Sequence, residues 1–492
     1  MKAITRFAPS PTGYIHIGNV RTAIYPYLVA HQTDGKMILR IEDTDRERYV
    51  EGATELIEDT LKWLGLDWDE GPIVGGPNEP YFQSERTEIY LKWAKKLLES
   101  GRAYADPTPS EKIDEYRKEC NEKKVPFLYR NFRPENPPEW EPGMPIRFKA
   151  EPKTYEWHDA VMGDMKTGPE VLDDIILIKK DGFPTYNFAH IVDDAEMNIT
   201  HVMRGVEYLS STPNYLAIYE ALGLVRPVLV SLPHILAPTG NKKLGKRDGA
   251  KSVTEYRDDG VLPEAMLNYL ACLGWNDGTE QEIYTKDELI QKFSIDRIQN
   301  SGARYDETKL LWMNGQWIRK IYAEQGARAL YDRTVWVSDG AKGETGSFWP
   351  AEAESWSEDY RIKVLSIIYD RLKTLSDLRE MTRYFFADPE IDTTMLTENK
   401  FLKKMSEAEI EGLLKTVIAK LSAVSAEEWN AEKLQEVLNE LLEDTGKKPA
   451  ELFSLIRIAV SFAAFSPALN LTLEVLGREV SLARLNAVAR SI

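Results

Sequence analysis

The stretch "FAPSPTGYIHIGNVRTA", from Phe7 to Ala23, determines how the first part of the chain folds. The residues before it, Ala3–Phe7, predict a strand, and the prolines and glycine after Phe7 would end that strand abruptly. A helix is expected from Ile17 to Val29. A strand that leads through a turn into a helix brings helix-start amide groups to the carboxyl edge of a sheet, where ligands of open α/β proteins bind. The stretch therefore predicts a ligand site at this turn.

The following elements continue the same pattern. "KMILRIEDTD" predicts a second strand from Met37 to Ile41, and two amphipathic helices follow it. Strand, helix, strand and helix in this order indicate a parallel α/β sheet. Prolines are dense from about 103 to 180, where we expect an insertion with its own small core. After Glu255 the chain has a helical pattern nearly to its end.

Composition sets wide limits. With 492 residues, 43% of them apolar, the chain is long enough for about three folded domains. The absence of a long apolar run and of a signal-peptide pattern predicts a cytoplasmic protein with no membrane partner. The only cysteines, Cys120 and Cys272, argue against a disulfide scaffold and a cysteine-based zinc site. The net charge of −17 gives no support to a nucleic-acid partner.

Side chains at the opening turn suit a nucleotide. His16 and Asn19 could donate hydrogen bonds to a triphosphate, and Gly18 has no Cβ, so its backbone can approach a ligand closely. Helix N-termini also attract phosphate. The alternative is a tight structural turn with a buried, satisfied histidine.

A second stretch, "PTGNKKLGKRDGAKS" from Pro238 to Ser252, is basic and rich in glycine. It carries Lys242, Lys243, Lys246, Arg247 and Lys251 against one acid, Asp248. A mobile loop with lysines can close over a site and stabilise negative charge on a transferring phosphate. The alternative is a solvated basic surface loop.

Together the two stretches resemble the paired signatures of the class I aminoacyl-tRNA synthetases. The first, His-Ile-Gly-His in that class, is His16-Ile17-Gly18-Asn19 here, and the Lys-Met-Ser-Lys-Ser loop is Lys243-Leu244-Gly245-Lys246-Arg247. "LRIEDTDRERYVEGA", "DGFPTYNFAHIVDD", "THVMRG" and "KLLWMNGQWIRK" are similar to the bacterial glutamyl-tRNA synthetases in particular. The resemblance is dense over the catalytic half and loose over the C-terminal half.

The resemblance implies an α/β fold: a Rossmann-type parallel-sheet catalytic domain with an α+β insertion, then an all-α anticodon-binding region. The expected division is 1–102 and 181–255 for the two catalytic halves, 103–180 for the insertion that receives the tRNA acceptor end, 256–325 for a helical junction and 326–492 for the anticodon-binding region.

The implied reaction is ATP-dependent ligation of L-glutamate to tRNA(Glu) through glutamyl-adenylate. ATP would carry Mg²⁺ on its phosphates, no zinc is expected, and we expect a monomer. Expected ATP contacts are His16, Gly18, Asn19, Glu207, Lys243, Lys246 and Arg247, with His16, Asn19, Lys243 and Lys246 catalytic. For Glu207, a structural salt bridge is an open alternative.

Glutamate has two carboxylates and one ammonium, so its pocket needs cationic donors and an acid. The resemblance assigns Arg6 and Tyr186 to the side-chain carboxylate, Arg204 to the α-carboxylate, and Glu42 with Ser10 to the ammonium, with His190 also lining the pocket. The alternatives are an ion pair of Arg6 with Asp43 or Asp45, and core packing for Tyr186. Gly245, Asp248 and His190 depart from the residues usual in the branch.

One segment of the insertion suits RNA. "YRKECNEKKVPFLYRNFR", from Tyr116 to Arg133, interleaves cations, which hold phosphates, with rings, which can stack on bases. The candidate tRNA contacts are Lys123, Lys124, Tyr129, Arg130 and Arg133. The alternative is an amphipathic helix with a solvated basic face.

Three other functions compete with this interpretation. A glutaminyl-tRNA synthetase typically adds β-barrel domains where this chain has a helical pattern, and a short relative that glutamylates a modified tRNA base lacks the C-terminal half. A non-catalytic, synthetase-like RNA-binding protein would be favoured by loss of His16, Lys246 or Arg204, and all three are present. Whether tRNA(Gln) is also charged depends on anticodon contacts that the sequence does not locate.

Overall fold

The computed structural model describes residues 2–13, 15–245, 251–337, 345–463 and 466–492. The chain forms two compact units, Met1–Tyr256 with Pro263–Glu307, and Arg257–Leu262 with Thr308–Ile492. Lys246, Arg247 and Asp248 of the basic loop lie outside the described residues. No helix in the described parts of the chain is long and apolar enough to cross a membrane.

The first unit contains both strands and helices. Its strands are β1 (Ile4–Phe7), β2 (Lys36–Leu39), β3 (Ala103–Ala105), β4 (Ile146–Phe148), β5 (Tyr155–Asp159), β6 (Gly163–Thr167), β7 (Ile176–Ile178), β8 (His201–Gly205), β9 (Val228–Leu232), β10 (Ile235–Leu236) and β11 (Ala303–Arg304). Its helices are α1 (Ile17–Gln32), α2 (Ala53–Trp63), α3 (Thr87–Glu99), α4 (Ser110–Glu122), α5 (Tyr186–Glu196), α6 (Thr212–Ala221), α7 (Val253–Asp258), whose last two residues belong to the second unit, α8 (Pro263–Cys272) and α9 (Lys286–Lys292). The predicted end of the first strand and start of the first helix are confirmed.

Parallel strands form the centre of this unit. β1 pairs in parallel with β2, with Arg6 opposite Ile38. Next to β8, the backbone N–H of Thr200 donates to the carbonyl of Ile4 at 2.8 Å, which holds β8 alongside β1. β8 pairs in parallel with β9, and β9 with β5, whose antiparallel partner is β6. The predicted parallel α/β sheet is confirmed.

Within the insertion, β4 pairs in antiparallel fashion with β3 and β7. The expected separate core of the insertion is wrong. Phe148 and Leu177 belong to one continuous hydrophobic core with Leu97 of α3, Ile191 of α5 and Leu216 of α6. The insertion is therefore anchored on helices of the parallel sheet.

Helices dominate the second unit. They are α10 (Glu307–Asp332), which starts in the first unit, α11 (Glu358–Ile368), α12 (Leu378–Phe386), α13 (Thr394–Thr397), α14 (Glu407–Ser422), α15 (Ala431–Thr445), α16 (Pro449–Ser461), α17 (Leu469–Leu476) and α18 (Arg478–Ala489). Ser406 and Asn430 cap α14 and α15 by accepting from backbone N–H groups. The strands β12 (Val335–Val337) and β13 (Thr345–Ser347) pair in antiparallel fashion. The region was expected to be all-α, and it contains this strand pair in addition to its helices.

Candidate active site

The two predicted nucleotide stretches meet at the start of α1. His16 forms an isolated antiparallel bridge with Ser252, the last residue of the basic stretch. Next to it, the backbone N–H of Val253 donates to the carbonyl of Ile15 at 3.4 Å. The residues that follow the undescribed part of the loop are therefore held beside the opening turn.

The N-terminus of α1 is open toward solvent. His16 and Asn19 are exposed, with His16 Nδ1 3.2 Å from Asn19 Oδ1, so His16 is not the buried histidine of the alternative interpretation. The His16 side chain makes no capping hydrogen bond, and the first turn of α1 holds no acid. A Cβ added at Gly18 would meet no heavy atom within 4 Å. These features suit an anion, since amide groups at a helix start carry partial positive charge.

Lys243, the described lysine of the second signature, is paired with Glu207. Its Nζ lies 3.1 Å from Oε1 of Glu207, and Nδ1 of His234 lies 3.6 Å from the other carboxylate oxygen. Burial by itself would raise the pKa of Glu207, but a backbone amide and Lys243 outweigh it and lower that pKa. Glu207 thus forms the salt bridge of the alternative interpretation, and its partner is itself an expected ATP contact. Arg304 fixes the base of the loop by donating to the carbonyl of Ala237 at 2.9 Å.

A cluster of buried charges surrounds Arg6. Arg6 Nε lies 3.2 Å from Asp194 Oδ1, and Nη1 donates to the carbonyl of Met203 at 3.1 Å. Arg40, fully buried, donates to the same Asp194 oxygen at 2.8 Å and to Glu42 at 3.0 Å. The expected alternative partners of Arg6, Asp43 and Asp45, are wrong. Asp43 instead accepts from the backbone and hydroxyl of Ser84, while Asp45 lies 4.0 Å from Arg48.

This cluster is balanced in charge. Arg86 Nε lies 2.8 Å from Asp193, and Asp193 is 3.6 Å from Arg40. Arg6, Arg40 and Arg86 therefore oppose Glu42, Asp193 and Asp194, which limits the cost of burying six charged groups.

The net pKa shifts of two of the acids have opposite signs. Burial by itself would raise the pKa of Asp194, but the nearby charges of Arg6 and Arg40 lower it to about 2. Burial raises the pKa of Glu42, and Arg40 and Arg6 only partly oppose that effect.

The expected glutamate contacts come together around Tyr186, the first residue of α5. Burial and the negative charge of Glu42 raise the pKa of Tyr186, while Arg204 and Arg6 act in the opposite direction. The structure thus brings these four residues within electrostatic reach of one another. Ser10 is exposed, next to Pro9, whose carbonyl accepts from the backbone N–H of Glu42 at 3.0 Å.

His190 packs inside this group of residues. Its ring stacks on Tyr186 with centroids 5.0 Å apart, and its Nε2 lies 3.2 Å from Nη1 of Arg204. Burial and then the charge of Arg204 lower the pKa of His190 to about 3. The ring is therefore a neutral member of a charged pocket.

Sequence reasoning missed Arg40, Arg86, Asp193 and Asp194. Arg40 follows β2 between Leu39 and Ile41 in "LRIEDTD", and the two aspartates follow Val192 on α5 in "NFAHIVDD". These apolar neighbours could have indicated that the charged side chains are buried. A buried charge needs a partner of opposite sign, so the sequence could have suggested a buried ion-pair cluster.

Two of the five expected tRNA contacts, Tyr129 and Arg133, are bonded to buried aspartates. Tyr129 is 1% exposed, its hydroxyl lies 2.7 Å from Asp106, and the guanidinium of Arg147 lies 3.5 Å from its ring centroid. It therefore has no free face for a base, and its expected stacking role is wrong. Arg133 is held by two hydrogen bonds to Asp174, at 2.6 and 2.7 Å.

The other three expected tRNA contacts remain at the surface. Lys123 and Lys124 are exposed, and Lys123 is paired with Glu119. Arg130 is half-buried and donates to the carbonyl of Pro169 at 2.6 Å. These cations are placed where a nucleic-acid backbone could reach them.

Comparisons with known proteins agree with this geometry. Residues 2–312 match the model of the class I tRNA synthetase (E and Q) catalytic domain, and residues 343–489 match an anticodon binding domain. The chain is 39% identical to a glutamate–tRNA ligase of Dehalococcoides mccartyi over 99% of this chain and 97% of the relative. It is 39% identical to one from Clostridium botulinum over 98% of both chains.

Solved structures give the same result. A crystal structure of a glutamate tRNA ligase from Elizabethkingia meningosepticum in complex with its amino acid is similar over 100% of both chains, with a TM-score of 0.85 and 31% identity. A glutamate-tRNA synthetase from Elizabethkingia anophelis gives a TM-score of 0.83, also over 100% of both chains, at 31% identity. The chain therefore belongs to the family of class I tRNA synthetases for glutamate and glutamine, in its glutamate–tRNA ligase branch.

Proposed function

We propose that the chain activates L-glutamate with ATP and transfers it to tRNA(Glu). The observation that carries this proposal is the bridge between His16 and Ser252, which joins the opening turn to the end of the basic stretch in the same unit as Arg6, Glu42 and Arg204. Similarity to glutamate–tRNA ligases over the whole chain supports glutamate rather than glutamine as the amino acid.

The ATP would lie at the start of α1. His16, Asn19 and the amide groups near Gly18 hold its phosphates, and Lys243 exchanges Glu207 for a phosphate oxygen. Lys246 and Arg247 add positive charge by the motif match, as developing phosphate charge requires. Mg²⁺ would enter with ATP, bound to its phosphates.

Glutamate would lie among Arg6, Ser10, Glu42, Tyr186 and Arg204, in the roles that the resemblance implies. An oxygen of its α-carboxylate attacks the α-phosphorus of ATP, and pyrophosphate leaves. A ribose hydroxyl at the 3′ end of the tRNA then attacks the carbonyl carbon, and AMP leaves. The protein forms no covalent bond to the substrate, so it acts by positioning the reactants and by stabilising charge.

The tRNA would contact both units. Lys123, Lys124 and Arg130 of the insertion suit the acceptor end. In the second unit, burial and the nearby positive charge of Arg371 lower the pKa of Arg457. Two neighbouring guanidinium groups suit an anionic partner such as an RNA backbone. We also propose that the enzyme is monomeric and works in the cytoplasm, and that its domains divide as the resemblance implies.

A charging assay with purified tRNA(Glu) tests the proposal. Labelled glutamate and glutamine are supplied separately, with and without ATP. We expect an ester with glutamate only, with one AMP and one pyrophosphate formed for each ester. Equal charging by glutamine, or no ATP-dependent ester at all, would contradict the proposal.

A further inference from the structure

Arg204 differs from Arg6, the other pocket arginine, in the groups that surround it. Arg6 and the neighbouring Arg40 bind Asp194, whereas no Asp or Glu of the described residues lies within salt-bridge distance of Arg204. The Arg204 guanidinium lies 4.6 Å from the ring centroid of Tyr215 and 5.4 Å from that of Tyr208. It is a half-buried cation packed beside two tyrosine rings.

The hydrogen bonds of His190 define its tautomer. Its Nδ1 lies 2.8 Å from the carbonyl oxygen of Tyr186, which can only accept, so Nδ1 carries the proton. The ring is neutral, since burial and Arg204 lower its pKa to about 3. Nε2 therefore has a free lone pair, and it accepts from Nη1 of Arg204 at 3.2 Å.

Packing holds the imidazole ring in this orientation. It stacks on Tyr186 at 5.0 Å and meets the ring of Tyr215 edge-on at 4.6 Å. His190 itself is 2% exposed. The other charged groups that act on the ring are Asp194 and Arg6, which are paired with each other.

We propose that His190 is a positioning residue, whose Nε2 orients Arg204 toward the α-carboxylate of glutamate. The inference rests on the proposed function, and it replaces the direct contact with glutamate expected for His190. A carboxylate in this position would also orient Arg204, but it would neutralise the charge that the substrate needs. A neutral acceptor orients the guanidinium and leaves its charge for the ligand.

Two variants separate this role from simple packing. In His190→Gln the amide reaches the former position of Nε2 and can accept from Arg204, whereas the shorter amide of His190→Asn reaches only the position of Nδ1. We expect the KM for glutamate to stay within about threefold of the parent in H190Q and to rise about tenfold or more in H190N, as for loss of a hydrogen bond to a charged group. The KM for ATP should stay unchanged in both.

Equal KM values for glutamate in the two variants, or a larger rise in H190Q, would overturn the inference. Nitrogen-15 NMR of the parent's histidines gives a test that needs no variant. We expect a neutral ring with the proton on Nδ1 from pH 5.5 to 8.5, and a proton on Nε2 in that range would contradict the account. Charging of tRNA(Glu) by the parent tests the proposed function separately, so the two failures can be told apart.

Discussion

The glutamate end and the phosphate end of the candidate site are built in opposite ways. At the glutamate end, Arg6, Arg40 and Asp194 are buried and bonded to one another. At the phosphate end, His16 and Asn19 are exposed, and the Lys243 side chain is paired with a partly exposed carboxylate. The comparison indicates that the pocket for the amino acid is preorganised. The phosphate site is open, and we expect its side chains to become ordered around the nucleotide when it binds.

Chemistry explains the difference. Glutamate and glutamine have nearly the same shape, so a pocket can separate them only with charges and hydrogen bonds that are fixed in advance. A triphosphate is larger and carries much charge, so amide groups and a closing loop can gather around it after it binds.

Replacing the centre of the buried cluster should have the largest effect. Arg40→Met would leave Asp194 and Glu42 without a main partner in a site where Arg40 is fully buried. We expect a loss of about 3–5 kcal/mol in the free energy of unfolding, measured with urea. Arg48→Met is the control, because that side chain is 72% exposed and should change stability by less than about 0.5 kcal/mol. Equal losses would mean that the cluster does not hold this end together.

The phosphate end should respond in rate rather than stability. Lys246→Ala should slow single-turnover glutamylation by roughly 10²–10³, the value of one preorganised charge contact, with unfolding unchanged. Lys92→Ala, an exposed lysine on α3, is the control. A normal rate in the Lys246 variant would show that the basic loop does not stabilise the transition state through this lysine.

Asp194 predicts the pH dependence of the glutamate end. Because its pKa is lowered to about 2, its ionised form stabilises the fold above the unfolded-chain pKa of about 4. That stabilisation, about 2 kcal/mol, is lost as the pH falls from about 4 to about 2. In urea unfolding between pH 5 and pH 3, Asp194→Asn should therefore lose stability less steeply than the parent. Identical slopes would show that Asp194 is not held ionised by Arg6 and Arg40.

The insertion also contains both a buried, bonded side chain and an exposed, charged one. Tyr129→Phe removes a buried hydroxyl from Asp106 and should cost about 1.5 kcal/mol of stability without changing the KM for tRNA. Lys124→Ala, at an exposed position, should do the reverse and raise that KM severalfold. Thermal unfolding and charging kinetics on both variants check this, and a tRNA defect in the tyrosine variant would restore Tyr129 as an RNA contact.

Patterns within a few residues of sequence were enough to predict the fold. The site could be predicted only in part, because it depends on ion pairs between residues that are far apart in the chain. The prolines and glycine after Phe7 act within a few residues, so the end of β1 and the start of α1 could be placed from sequence. Arg6 and Asp194 lie 188 residues apart, and no local pattern joins them. Tyr129 shows a different limit, because interleaved rings and cations do not reveal which ring faces inward.

Crystal structures of the enzyme, free and with a non-hydrolysable glutamyl-adenylate analogue, would test the central claim most directly. We predict that the Arg6–Asp194 and His190–Arg204 contacts, at 3.2 Å in each case here, keep their distances on binding. Lys243 should leave Glu207, now 3.1 Å away, and bind the phosphate. A bound structure in which Arg6 or Arg204 moves to a new partner while Lys243 stays on Glu207 would contradict the account.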